Sequence, residues 1–156
     1  MSIVIQYRLN TASSAEIAEH LLRCDAHFVP PLSGRVEIDN YARKIANKAT
    51  RFEAWSGDKL LGLIAAYCND RDSRIAYITS VSILQDYVGK GISNRLMNQC
   101  VEYAKAADMR QISLEVAVNN KPAIKLYEKS GFVAGKSDTS FVCMHLSLTG
   151  SEAEHE

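Results

Sequence analysis

The stretch from Tyr77 to Ala107 constrains this chain's fold more than any other. It reads as a strand (Tyr77-Ile78-Thr79-Ser80-Val81-Ser82-Ile83), a glycine loop (Val88-Gly89-Lys90-Gly91-Ile92-Ser93) and a long helix. On that helix Ile92, Leu96, Cys100, Tyr103, Ala104 and Ala107 fall on one stripe. A strand that runs through glycines into a helix leaves unpaired backbone N–H groups at the helix start. With the helix dipole behind them, those groups form a site for a phosphate-bearing ligand.

The whole chain narrows the setting. Its 156 residues suit one domain with a substantial core, expected over residues 1–150, with 151–156 as an acidic, frayed tail. Lys+Arg and Asp+Glu both number 18, so no global field holds nucleic acid or anionic lipid, and neither partner is expected. The longest apolar run, Leu60 to Cys68, is nine residues, against the ~20 that a membrane helix needs. Tyr7 and Arg8 interrupt the apolar residues after Met1, so no signal peptide is read and a cytoplasmic location is expected. Cys24, Cys68, Cys100 and Cys143 are widely spaced with no CxxC pair. They read as reduced, packed thiols, and no metal is expected.

Taken in order, Ile3 to Leu9 is a first strand. Ser13-Ser14-Ala15-Glu16 is a capping box opening a helix with Ile17, Leu21, Cys24 and Phe28 on one face, stopped by Pro30-Pro31. A second helix is read from Val36 to Ala49. Strands follow at Arg51–Trp55, Leu60–Cys68 and Arg74–Ile83, the first two joined at Ser56-Gly57-Asp58 as a central antiparallel hairpin. After the Ile92 helix comes a strand at Gln111–Val118. A helix then opens at Asn120-Lys121-Pro122 and closes at Ser130-Gly131. Phe132–Lys136 and Ser140–Leu148 are a last pair of strands. The order β-α-α-β-β-β-α-β-α-β-β describes a mixed α/β layered domain, with one crossover helix leading to a parallel strand.

Two segments carry a family resemblance. Asp86-Tyr87-Val88-Gly89-Lys90-Gly91-Ile92-Ser93 resembles the acetyl-CoA pyrophosphate loop of the GNAT N-acetyltransferase superfamily, usually Arg/Gln-x-x-Gly-x-Gly/Ala. Leu114-Glu115-Val116, followed by Asn120-Lys121-Pro122-Ala123-Ile124-Lys125-Leu126-Tyr127-Glu128-Lys129-Ser130-Gly131-Phe132, resembles that family's second signature. The element order is also the family's. Val88 departs from the usual Arg or Gln, and Ser93 replaces the last Gly, which leaves phosphate contact mainly to the backbone.

The resemblance implies an acetyl-CoA-dependent N-acetyltransferase. Backbone N–H groups of Gly89, Lys90, Gly91, Ile92, Ser93 and Asn94 would hold the pyrophosphate, and Val81, Ser82 and Ile83 the pantetheine arm. Asn120 would cap its helix and reach the pantetheine amide. Tyr127 would be the general acid, or simply a packed aromatic. Glu115 would be the base, or a structural carboxylate. Asp25, His27, Glu37 and Asp39 fall in the region that covers the acceptor; His20 and His145 have no evident partner, and Trp55 reads as core. A minimal domain without an appended reader suggests a small-molecule primary amine as acceptor, with a homodimer left open. The alternatives are a protein N-terminal or lysine acetyltransferase, a non-catalytic acyl-CoA sensor, and a nucleotide-binding transferase, the last disfavoured by the lack of a G-x-x-x-x-G-K-[ST] loop.

Overall fold

The structure is a computed structural model in which residues 4–149 are described. The first strand's start at Ile3 and the acidic end lie outside them. One seven-stranded sheet has the order β1-β2-β3-β4-β5-β7-β6. Its strands are β1 (Gln6–Leu9), β2 (Thr50–Ser56), β3 (Lys59–Tyr67), β4 (Ile75–Ile83), β5 (Gln111–Ala117), β6 (Val133–Ser137) and β7 (Phe141–Ser147). The helices are α1 (Ser14–Cys24), α2 (Ile38–Lys48), α3 (Ile92–Ala106) and α4 (Lys121–Lys129). This is the mixed α/β order expected from the sequence, with the β2–β3 hairpin inside the sheet and β4 parallel to β5.

Local chemistry explains the element ends. Ser13 and Glu16 make the full capping box of α1. That helix is shorter than the spacing to Phe28 suggests: it ends at Cys24, and Asp25–His27 tightens into a 3-10 turn. Asp25 accepts from the Ser33 N–H (2.7 Å) and hydroxyl (2.8 Å), and this pins the connection between α1 and α2. The Glu37 carboxylate caps α2 by accepting from the Asp39 and Asn40 N–H groups.

The apolar residues divide into two clusters. One packs α1 and α2 on β2 and β3 through Ile17, Leu21, Ala42, Ile45, Trp55 and Leu63. The other packs α3 and α4 through Leu61, Ile64, Ile92, Leu96, Met144 and Phe132. Gly62 seats α3 closely: a Cβ there would lie 2.8 Å from Ile83 Cδ1 and 2.9 Å from Ile92 Cγ2. Glu53, fully buried, ties the β1–α1 loop to the sheet. Its carboxylate accepts from the N–H groups of Thr11 and Ala12, the Thr11 hydroxyl and Trp55 Nε1. A buried carboxylate is tolerable because its oxygens are so fully bonded. All four cysteines are free thiols. Among the described residues no helix is long and apolar enough to cross a membrane.

Candidate active site

The sheet opens between its two parallel strands. β4 pairs with β5 only at Ile75, Ala76 and Tyr77, opposite Gln111, Ile112 and Ser113. Both strands continue, β4 along β3 to Ile83 and β5 along β7 to Ala117, but no longer with each other. The Leu84 N–H donates to Leu61 O (2.8 Å). Bonded residues alternate along an antiparallel ladder, so Ser80 and Ser82 turn their backbone groups to β3. Val81 and Ile83 turn theirs into the gap. A β-bulge between Ala65 and Ala66 re-aims β4 here, and Tyr41 of α2 donates its hydroxyl to the Thr79 carbonyl (2.6 Å).

The glycine loop lies past the end of β4. Gly89 and Gly91 have φ of +84° and +80°, and a Cβ built on either would meet nothing within 4 Å. Left-handed backbone and open space above it form a cradle for a ligand that approaches the main chain. Gly91 is the N-cap of α3, and no side chain caps that helix. Its first N–H groups, at Ile92, Ser93 and Asn94, therefore face an acceptor from outside the helix. Val88 is well exposed, at 58%, and adds no polar contact.

The other end of the gap holds a cleft of 160 Å³ whose lining includes Thr79, Val81, Glu115, Asn120, Tyr127 and Phe141. Asn120 accepts from the Ala123 N–H as the N-cap of α4. Tyr127 follows seven positions later, almost two turns along α4. It is 8% exposed and packs against Phe132 with ring centroids 6.0 Å apart, so it is both a packed aromatic and part of the cleft wall. Burial pushes its hydroxyl up to about 12, which keeps it protonated at neutral pH. Glu115 is exposed on β5 and accepts a long hydrogen bond from the Tyr77 hydroxyl (3.4 Å). Burial, then the Glu115 charge, pushes Tyr77 up to about 12 as well.

Glu115 also borders a second, 570 Å³ groove formed with Lys136, Asp138, Cys143 and His145 along β6 and β7. It therefore stands where the two spaces meet. Of the four acceptor-region candidates only His27 lines the cleft. Asp25 and Glu37 are spent on backbone caps, and Asp39 is in the first turn of α2. The Ser82 side chain points to α1, where its hydroxyl lies 2.8 Å from His20 Nε2. His20 has no partner near it in the sequence because Leu60 and Ser82 are 40 and 62 positions away. Among the described residues no group of acidic, His and Cys side chains could hold a metal.

The model of the acetyltransferase (GNAT) family matches residues 15–132. The chain belongs to the GNAT acetyltransferase family. That family's co-substrate is acetyl-CoA, and the loop and gap described above fit its phosphates and its extended amide arm.

Among curated proteins the chain is 42% identical over 60 residues to a candidate ribosomal protein bS18-alanine N-acetyltransferase of Bacillus subtilis, covering 38% of this chain and 40% of that one. It is 28% identical over 103 residues to the N-alpha-acetyltransferase MAK3 of Arabidopsis thaliana, covering 65% and 52%. The chain thus spans about half or less of the length of these relatives. Among solved GNAT structures, a candidate streptothricin acetyltransferase from Bacillus anthracis in complex with acetyl coenzyme A is 28% identical. It covers 64% of this chain and 62% of that one, with a TM-score of 0.57. A GNAT-family acetyltransferase candidate from Desulfovibrio desulfuricans shares the fold over 93% and 99%, with a TM-score of 0.76 at 13% identity.

Proposed function

We propose that this chain, as a single domain, moves the acetyl group of acetyl-CoA to a primary amine by direct attack. The observation that carries the reading is the convergence of Tyr127 from α4 and Glu115 from β5 on one cleft, at the end of a gap that opens onto the uncapped start of α3. Acetyl-CoA supplies an activated thioester carbon; the residues of the chain do the rest. N–H groups from Gly89 to Asn94 hold the pyrophosphate, with Lys90 at the loop's exposed edge. The backbone groups of Val81 and Ile83 bond the pantetheine amides as a partner strand would. Asn120 adds its side-chain amide beside them.

An ammonium acceptor, with a pKa near ~10, must lose a proton before it can attack. Glu115, exposed at the junction of cleft and groove, takes that proton directly or through water. The leaving sulfur needs a hydrogen-bond donor, and Tyr127 is placed to give one. A tyrosine near 12 is a poor acid for a thiol near ~8.5 in water. The match improves once the sulfur is dry: burial pushes this chain's own Cys24 and Cys100 thiols up to about 11 and about 12. Desolvation that raises the donor thus raises its acceptor too.

The acceptor is read as a small primary amine. A peptide α-amine is the second reading, favoured by the similarity to the B. subtilis ribosomal protein alanine N-acetyltransferase candidate and to the A. thaliana N-alpha-acetyltransferase. Thiol release from acetyl-CoA, measured with a panel of small amines and of peptide N-termini, tests both. Release with neither, while acetyl-CoA still binds, would make the chain a sensor and overturn the enzymatic reading.

A further inference from the structure

Arg35 stands at the start of the chain leading into α2, just after the 3-10 turn Leu32–Gly34, and its side chain lines the same 160 Å³ cleft as Glu115. Its guanidinium carbon sits 5.8 Å from the centroid of the Phe141 ring, at the first residue of β7. It therefore reaches from the α1–α2 connection across to the far arm of the sheet. A cation–π contact of this length steadies the guanidinium over the ring while leaving its N–H donors free to meet a ligand. Among the described residues none of the ion pairs or side-chain hydrogen bonds uses the Arg35 side chain. The acidic side chains near it in sequence are occupied: Asp25 by Ser33 and Glu37 by the α2 cap.

The position excludes the co-substrate's phosphates as its target. Those belong with the glycine loop, beyond Ile83, whereas Arg35 shares its cleft with Thr79, Glu115 and Tyr127 at the reacting end. One small cleft thus has the Glu115 carboxylate on its β5 wall and, over the Phe141 ring beside that wall, a guanidinium that no side chain among the described residues pairs. A ligand that satisfies both charges carries an ammonium and an anion close together.

We infer that Arg35 is a specificity-determining residue and that the acceptor is amino-acid-like, its amine presented to Glu115 and its carboxylate held by the Arg35 fork. This rests on the acetyltransferase reading above and narrows its acceptor to zwitterionic primary amines. A planar guanidinium takes a carboxylate through two parallel N–H···O bonds, a geometry that a neutral amide cannot return in kind. No new bond chemistry is involved: the amine nitrogen gains the acetyl group, the thiol leaves, and the carboxylate stays ionised throughout.

The test is a thiol-release assay with acetyl-CoA and the proteinogenic amino acids, each paired with its own carboxamide. The expected result is at least a ten-fold higher kcat/KM for the preferred amino acid than for its carboxamide. Arg35→Met should collapse that ratio toward one, mainly through KM for the amino acid, and Arg35→Lys should restore part of it. A ratio near one in the parent chain, or an undiminished ratio in Arg35→Met, would overturn the assignment while leaving the acetyltransferase reading in place. Transfer to no amine at all, with acetyl-CoA bound, would overturn both.

Discussion

Ser82 Oγ lies 2.8 Å from His20 Nε2, and the other ring nitrogen lies 3.0 Å from the Leu60 carbonyl. The carbonyl can only accept, so Nδ1 carries the proton and Nε2 accepts from the serine hydroxyl. One neutral tautomer is therefore fixed inside the protein, with His20 only 2% exposed and Cys24 Sγ 3.7 Å away. The contact pins α1 to β4 at the residue between Val81 and Ile83, the two that face the gap.

Protonating His20 would break this arrangement, which makes stability depend on pH. Burial lowers His20 from 6.5 to about 4. The unfolded chain binds a proton below 6.5 and the folded chain does not until about 4. Stability is therefore full above 6.5 and falls as pH drops toward 4, by about 3 kcal/mol from this residue. Urea denaturation at pH 7.5 and 4.5 measures it. His20→Gln should be less stable at pH 7.5 yet lose less between the two pH values; an equal loss in both proteins would assign the acid sensitivity elsewhere.

Tyr127→Phe should lower turnover at least ten-fold while the Kd for acetyl-CoA stays near that of the parent. The ring keeps its contact with Phe132, and among the described residues the hydroxyl has no hydrogen-bond partner to lose, so Tm should barely move. Turnover equal to the parent's on the same acceptor would remove Tyr127 from the chemistry.

Glu115→Gln should abolish the acidic limb of the pH–rate profile along with most of the turnover, since a carboxamide cannot take the ammonium proton. Tyr77→Phe removes the one side-chain donor to this carboxylate among the described residues and should lower kcat by about two- to five-fold, the scale of one long hydrogen bond. An unaltered acidic limb in Glu115→Gln would place the base on another residue.

Two glycines should fail for different reasons. Gly91→Ala meets no atom within 4 Å but must hold φ near +80°, a cost of about 1–2 kcal/mol that weakens acetyl-CoA binding by about ten-fold. Gly62→Ala has no such backbone demand, and its Cβ instead strikes Ile83 and Ile92. It should lower Tm and leave the affinity of the folded fraction closer to normal. Calorimetric titration beside thermal melts separates the two.

The sequence carried most of the fold because its signals are local. The Ser13–Glu16 box, the Asn120 cap and the positive-φ positions at Gly89, Gly91 and Gly131 are each written within a few residues. Motif spacing singles out Tyr127 and Glu115, and both line the one cleft. What sequence could not show is set by distance along the chain. Glu53 gathers Thr11 and Ala12 from more than forty positions away, and nothing near it distinguishes it from any strand carboxylate. Arg35 meets Phe141 across 106 positions of chain, which no local pattern announces. The opening of the sheet was equally hidden, because β4 and β5 read as ordinary strands and only their register reveals that pairing stops at Tyr77 and Ser113.

That early end to the pairing also bears on kinetic order. With three residue pairs joining β4 to β5, the space above them lacks a wall until an extended amide chain fills it. An amine arriving first would find Glu115 and Tyr127 beside an incomplete cleft, with nothing to attack and less surface to hold it. On the proposed reading, acetyl-CoA bound first would supply that wall. On the acetyltransferase reading, the register of two strands therefore favours co-substrate before acceptor, an order that initial-rate patterns with both substrates varied would check.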